Sequence, residues 1–404
     1  MIDDLEEAMG RAIGEMRDWP GRTVHLFHHN DSDGLSSAAI LTTALAREGY
    51  EVHRLCLEKP YPEVLEKIYA GTGRILIFAD FAGRIAPRLS LLNSGRNLTL
   101  ILDHHVAEAA TDPRVHNLDP DLFGLKGDRD IAAAATCYVF ARTMNPSNRD
   151  LAHLGALGAV GDKFFVAGRL ASVNRDVAME AVRQGTMEVT PHAGGEYYIL
   201  RTPQGNMYCD ELAVRLDMLG AAGYYGNGPE TGLRVLLDGP TPETDAMLVS
   251  LTAVKDAAFK RETARLEREG LRKSSRIQWF HVGDRFSPMG VKMIGLFCEA
   301  LREKPFMDPD RYIAGFQTVP DEIPGLGPVP FGQIKISMRV PPRLERRIRE
   351  GTIPGLDAFL PEATNRLGGF SDACHRLAAA TTVAAGKEED LIAEMEKVLE
   401  EGAH

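Results

Sequence analysis

The chain has 404 residues, 44% hydrophobic and 25% charged, with a formal net charge of −11. That length is too great for one compact core and points to two or three domains, while the composition is globular and excludes disorder. No apolar run approaches the ~20 residues that span a bilayer, and the acidic, amphipathic start MIDDLEEAMGRAIGEMRDWP lacks the basic-then-apolar order of a signal peptide.

Five scattered cysteines (Cys56, Cys137, Cys209, Cys298 and Cys374) never form a CxxC pair. They read as small buried hydrophobes in a reducing compartment, so a cytoplasmic protein is expected, and zinc fingers and disulfide scaffolds are not. The charge is uneven. Residues 271–404 hold 18 Lys+Arg against 19 Asp+Glu, so −10 of the −11 lies in residues 1–270. No long cationic track for duplex DNA is present, whereas a short or single-stranded nucleic acid remains allowed.

In chain order, a helix is expected at about 3–18. Short apolar runs follow at 23–29, 51–57, 74–80 and 97–103, alternating with helical stretches near 35–48, 61–70 and 84–93. Strands and helices alternating at this spacing imply βαβ units and a parallel sheet. Helical pattern dominates 130–185, and residues 186–240 read as less regular, either a cover or a packing element. Thr241 before Pro242 is a helix start. Met247, Leu251, Val254 and Ala258 then predict one long connector helix to about Glu269, of order 40 Å. A second α/β pattern follows, with strands at 276–282, 311–319 and 331–339 and helices at 289–303 and 387–401. The expected fold class is α/β, divided as 1–190, a region with connector helix at 191–270, and a smaller C-terminal domain at 271–404.

The acidic and imidazole residues fall at the expected strand ends. His29, Asp31 and Asp33 follow the first strand, Asp80 ends the third, and Asp103, His104 and His105 end the fourth. In an open parallel sheet these carboxyl ends line one crevice where ligands bind. Asp162, closing the apolar segment LGALGAVGD, can complete the cluster from the side. So many carboxylates repel unless neutralised. Divalent cations neutralise them, and oxygen and imidazole donors without thiolate suit Mn²⁺ or Mg²⁺. Taken singly, HNDSDG reads as a helix-capping turn, Asp80 as a turn residue, and LDHH and Asp162 as little at all. Their joint placement carries the inference.

HNDSDG (29–34), FADF (78–81), LDHH (102–105) and GAVGD (158–162) resemble the four motifs of the DHH phosphoesterase superfamily, nearest its RecJ-like branch, which also matches Asn174–Arg175. The resemblance covers about 22–185. It implies that His29 and Asp31 hold one metal, Asp33, His104 and Asp162 a second, and that Asp80 bridges them. His105 would contact the scissile phosphate, Asp103 would orient the histidines, and water activated by the two metals would be the nucleophile. IKISMR (334–339) and GGFSDACH (368–375) resemble the DHH-associated C-terminal domain, implying substrate contacts at Ser337, Arg339, Gly368, Gly369 and His375. The spacing before His375 is longer than the family's usual run, and Arg-Leu-Ala-Ala-Ala follows it.

The implied function is a metal-dependent phosphodiesterase on single-stranded nucleic acid or short oligonucleotides, of RecJ-like exonuclease or nanoRNase type. Alternatives are a phosphoesterase on a small nucleotide (pAp, a cyclic dinucleotide or pyrophosphate) and a non-catalytic scaffold subunit, which would have lost metal ligands. No aromatic-plus-basic stretch of the kind used for stacking single strands is visible, and only 7% of residues are aromatic.

Overall fold

Short apolar runs that alternate with amphipathic stretches can bury both faces of a parallel sheet only beneath helices. That is how the first half of the chain folds. The computed structural model describes residues 1–202 and 205–402, with backbone alone at 372 and 373. It divides into two units, Met1–Val249 and Ser250–His404.

The first unit begins α1 (Ile2–Asp18), β1 (Thr23–His28), α2 (Ser32–Arg47), β2 (Glu51–Cys56), α3 (Pro62–Ile68), β3 (Ile75–Ala79), α4 (Ala86–Asn93), β4 (Leu98–Leu102) and β5 (Val115–Asn117). The expected strands and helices between 23 and 103 are thus present to within about three residues. The five strands are parallel, in the order β2-β1-β3-β4-β5. This order reverses direction between β1 and β3, and such a switch point opens a crevice at the strands' carboxyl ends. The register decides what fills it. His28 pairs with Ala79 and Ala79 with Leu102, so the next residues, His29, Asp80 and Asp103, stand level at that edge.

Three helices follow, α5 (Ala133–Met144), α6 (Ala152–Gly161) and α7 (Ser172–Arg183), with a small hairpin, β6 (Phe165–Val166) and β7 (Arg169–Leu170), between the last two. Helices α2, α5 and α6 pack against one another. Gly158 permits a close approach, because a Cβ there would lie 2.1 Å from Asp33 Oδ1.

The described residues of 186–240, expected to be less regular, form strands and helices. Strands β8 (Met187–His192), β9 (Gly195–Thr202) and β10 (Gly205–Tyr208) form an antiparallel sheet, and α8 (Cys209–Ala222) and α9 (Gly228–Asp238) follow. The Gly-rich turns masked a helical period: Leu212, Ala213, Leu216 and Leu219 all bury one face of α8. The long helix α10 (Pro242–Glu269) starts as expected, with Thr241 Oγ1 accepting from the Thr244 amide at 3.3 Å. Its apolar stripe is not a continuous seam: Ala258 is buried, whereas Val254 is exposed.

The second unit contains β11 (Arg272–Lys273), β12 (Ile277–Gly283), α11 (Met293–Leu301), β13 (Tyr312–Thr318), a two-stranded turn of β14 (Glu322–Ile323) and β15 (Gly327–Pro328), and β16 (Gln333–Arg339). It ends with α12 (Pro342–Arg349), α13 (Leu360–Arg366), β17 (Phe370–Cys374), β18 (Ala378–Ala384) and α14 (Glu388–Glu401). Its six-stranded sheet has the order β11-β12-β13-β16-β18-β17. One core joins Trp279, Phe316, Ile336 and Met338 of the sheet to Leu344, Leu360 and Leu391 of the three later helices.

Candidate metal centre

Each motif owes its position to a local constraint. Asp31 caps α2, its Oδ1 accepting from the Gly34 amide at 3.0 Å. Asp33 lies in the first turn of that helix, fully buried, and accepts from the Ala133 and Ala134 amides at 2.9 Å each. Those amides open α5, whose positive end favours an anion. Asp80 turns the chain out of β3 at φ +67°, a left-handed conformation that Asp tolerates better than most residues.

The side chains converge. His29 Nδ1 is 2.8 Å from Asp31 Oδ2 and 3.4 Å from Asp80 Oδ2. His104 Nε2 is 3.5 Å from both Asp80 Oδ1 and Asp162 Oδ2. Ligand atoms of His29, Asp31 and Asp80 lie within 4.8 Å of one another, as do those of Asp33, His104 and Asp162, and those of Asp80, Asp103, His104 and His105. All eight expected residues therefore meet at the switch point, with Asp80 shared between groups.

Asp103 is tied from several sides. It accepts from the Gly83 amide at 2.9 Å, the His104 amide at 2.8 Å and His105 Nδ1 at 2.7 Å. The rings of His104 and His105 lie 4.1 Å apart. His104 Nδ1 meets the Gly127 carbonyl at 2.5 Å, which fixes the proton on that nitrogen and turns Nε2 toward the acids.

Electrostatics sets the protonation of this cage. Burial, then the charges of Asp31, Asp33, Asp162 and Asp103, push the Asp80 carboxyl well above the usual carboxylate range. Burial raises Asp33 to about 6 against the pull of His104 and the α5 amides. Asp162, enclosed by protein and facing Asp33 and Asp31, rises to about 7. Its side chain keeps 29% of its surface open, which marks it as the rim of the cage rather than its floor. Burial would lower His104, but Asp162, Asp33, Asp103 and the Gly127 carbonyl carry it up to about 9. Burial also works to raise Asp103, yet His105, His104 and the Gly83 amide outweigh it and hold this acid below its ordinary range.

Divalent ions fit this arrangement on one further observation. His104 Nε2 is buried without a hydrogen-bond partner, 3.5 Å from two acids whose carboxyls are pushed upward. A cation would displace the protons this cluster binds and satisfy the orphaned nitrogen. The donor set of carboxylate oxygen and imidazole, without thiolate, suits Mn²⁺ or Mg²⁺.

Several contributors carry no motif. Gly127 sits so close to His104 that a Cβ would lie 1.4 Å from its carbonyl oxygen. Asp217 of α8 accepts from the Ser32 amide at 2.8 Å, and Asn30 donates to the Gly220 carbonyl at 3.0 Å, so α8 braces the first motif. Buried Asp119 lies behind Asp103, and burial followed by the Asp103 charge raises its carboxyl well above the usual range. Only the Asp-Pro turn signal in NLDPD (117–121) hinted at it.

In the second unit the expected substrate residues do not form one group. Ser337 is buried under α11, a Cβ on Gly295 reaching within 2.9 Å of its hydroxyl. Arg339 is ion-paired with Glu299 at 3.2 Å. Arg339 pairs with Ala378, whose carbonyl accepts from the His375 amide at 3.0 Å, so Arg339 and exposed His375 share one end of the sheet. Gly368 and Gly369 lie at the other end of β17, roughly 16 Å away along a five-residue strand. A Cβ on Gly369 would meet the Thr382 carbonyl at 2.4 Å, so this glycine serves close packing. The residues between Gly369 and His375 form β17, so the implied substrate contacts fall at separate places on the sheet.

No family model matches the sequence. An uncharacterised protein of Methanocaldococcus jannaschii is 31% identical over 165 residues, which make up 39% of this chain and 36% of that protein. RecJ from Thermus thermophilus, solved with Mn²⁺, aligns with a TM-score of 0.62 at 16% identity, covering 98% of this chain and 55% of that one. A second exonuclease RecJ, bound to manganese, aligns with a TM-score of 0.59 at 18% identity, covering 98% and 94%. This chain thus spans about half the length of the Thermus protein and matches about a third of the archaeal one. Parallel sheet, crossover order and second sheet together define a two-unit α/β protein of the RecJ-like fold. Among the described residues, no helix is long and apolar enough to cross a membrane.

Proposed function

We propose that the protein is a metal-dependent phosphodiesterase that hydrolyses single-stranded nucleic acid or short oligonucleotides. The observation that carries this reading is the cage of His29, Asp31, Asp33, Asp80, His104 and Asp162 at the switch point, with His105 at its margin. His29, Asp31 and Asp80 would hold one divalent ion and Asp33, His104 and Asp162 a second, with Asp80 shared; Mn²⁺ is favoured and Mg²⁺ is the alternative. Bound there, such ions activate water and offset the charge gathering on a phosphate.

The protein's own groups do the rest. Asp103 accepts the Nδ1 proton of His105, and as an imidazolium His105 would donate from Nε2 to a phosphate oxygen and stabilise charge there. The Gly127 carbonyl keeps His104 in the tautomer that coordinates through Nε2. In the second unit, His375 and Arg339 are the candidate contacts to the substrate backbone, with Ser337 supporting Arg339 at 3.3 Å from Nη1. A cytoplasmic, reducing setting accords with five free cysteines.

The negative charge of residues 1–270 favours short substrates over long strands. The test is hydrolysis of end-labelled single-stranded DNA and RNA ladders with Mn²⁺ and with Mg²⁺, beside pAp and cyclic dinucleotides. Stepwise release of nucleotides from the ladders is the expected result. Cleavage of the small nucleotides alone would move the substrate class, and no hydrolysis of any would refute the enzyme.

A further inference from the structure

The hairpin that follows Asp162 holds an aromatic ring open to solvent beside the cage. Phe164 is buried, its ring edge-on to His104 at 5.3 Å. The next residues, Phe165 and Val166, are 38% and 48% exposed. Two residues separate Asp162 from Phe165, three Cα steps that span at most about 11 Å.

A single exposed apolar side chain is ordinary. This one is held out by construction. The Phe165 ring leans on Tyr198 of β9 at 6.2 Å. The Tyr198 hydroxyl accepts from the Leu170 amide at 2.9 Å and from Arg175 Nη1 at 3.0 Å, and donates to Glu196 at 2.8 Å. The hairpin turn is fastened to the sheet by a glycine contact, where a Cβ on Gly168 would lie 2.0 Å from the Gly194 carbonyl. Gly168 adopts φ +77°, and its carbonyl accepts from the Glu196 amide at 3.0 Å. A hairpin pinned at its turn and base cannot fold Phe165 and Val166 away.

We propose that Phe165, flanked by Val166, is the stacking surface for the nucleobase of the nucleotide whose phosphate enters the cage. A ligand that presents an anion to the cage and a flat apolar face within about 11 Å of it is a nucleotide unit, since its base is joined to its phosphate through one sugar. Pyrophosphate and polyphosphate have no such face. A stack on one ring is tolerant of base identity, because every base has a π-face. The stacking aromatic is supplied by a loop beside the metal site, without the aromatic-and-basic stretch that single-strand binders carry.

This inference rests on the phosphodiesterase reading, and the experiment separates the two. Phe165→Ala, Phe165→Trp and Tyr208→Ala are compared with the native chain loaded with Mn²⁺. Tyr208 is an exposed aromatic paired with Ile199, on the sheet face opposite Tyr198. Substrates are a single-stranded pentamer and the same pentamer with an abasic residue at its terminal cleavage position. Phe165→Ala should raise KM for the intact pentamer about tenfold, within the roughly 5- to 150-fold that base–aromatic stacking contributes. It should leave KM for the abasic pentamer unchanged, while Tyr208→Ala changes neither. Phe165→Trp should keep the native KM, and its added fluorescence should be quenched by the intact pentamer and not by inorganic phosphate. Should Phe165→Ala fail to fold, the tryptophan variant decides alone, and unquenched emission at saturating pentamer overturns the proposal. Equal KM changes for both pentamers would overturn it while leaving the enzyme reading intact. Failure of the native protein to cleave either pentamer would remove the phosphodiesterase reading and this inference with it.

Discussion

Replacing Asp80 by asparagine should stabilise the metal-free protein and abolish its hydrolytic activity. Asparagine keeps the shape and tolerates the φ of +67°, so the main change is one buried negative charge. Ligand atoms of Asp80 and Asp31 lie within 4.8 Å of each other. At an effective dielectric constant of 20, two unit charges at that separation repel by about 3 kcal/mol. The folded-state pKa of Asp80 is raised, so its penalty is absent below the ordinary carboxylate range, grows as pH climbs from there and is complete above the folded value. The gain from Asp80→Asn should therefore be partial at pH 5 and approach about 3 kcal/mol at pH 8. That corresponds to roughly 6–12 °C in Tm for a unit of this size. Scanning calorimetry in EDTA at both pH values, following the Met1–Val249 transition, reads it directly. Mn²⁺ should reverse the order, since a ligand at a hundred times its Kd stabilises the native chain by about 2.7 kcal/mol and the variant by much less. A variant that melts lower than native in EDTA at pH 8, or an equal Mn²⁺ shift in both proteins, would refute the shared role of Asp80.

Mn²⁺ affinity should climb from pH 5.5 to about 9, because Asp33 (about 6), Asp162 (about 7) and His104 (about 9) shed protons as the ion enters; calorimetric titration in two buffers of different ionisation enthalpy should show proton release. Gly127→Ala should weaken Mn²⁺ binding about 10- to 100-fold with an unchanged circular dichroism spectrum, since the new Cβ collides with the His104 backbone and shifts the ring that Gly127 orients. His375→Ala should raise KM about tenfold and leave Mn²⁺ binding alone. Lost metal with unchanged KM would contradict its assignment to substrate.

The parallel sheet was readable because each strand is a short apolar run ending in a polar residue, and register did the rest. Once His28, Ala79 and Leu102 align, the motif residues after them are forced to one edge. The partners that tune the cage were hidden because backbone groups do the work. Gly127 offers a carbonyl, and Ala133 and Ala134 offer amides, none of which depends on a recognisable side chain. Residues 186–240 misled because their turns drew attention from the period of α8. The separation of Gly368–Gly369 from His375 was hidden for another reason: the residues between them show no strand alternation, yet they form β17.

Main-chain amides grip Asp31, Asp33 and Asp103, through Gly34, through Ala133 and Ala134, and through Gly83 and His104. These acids are splinted by the scaffold ahead of any cation, so mutual repulsion cannot fan them apart. An arriving ion has only to lose its own water and expel protons; the polypeptide is already in position. Stripping with a chelator should then be as reversible as emptying a socket, with reloading limited by ion dehydration and not by refolding.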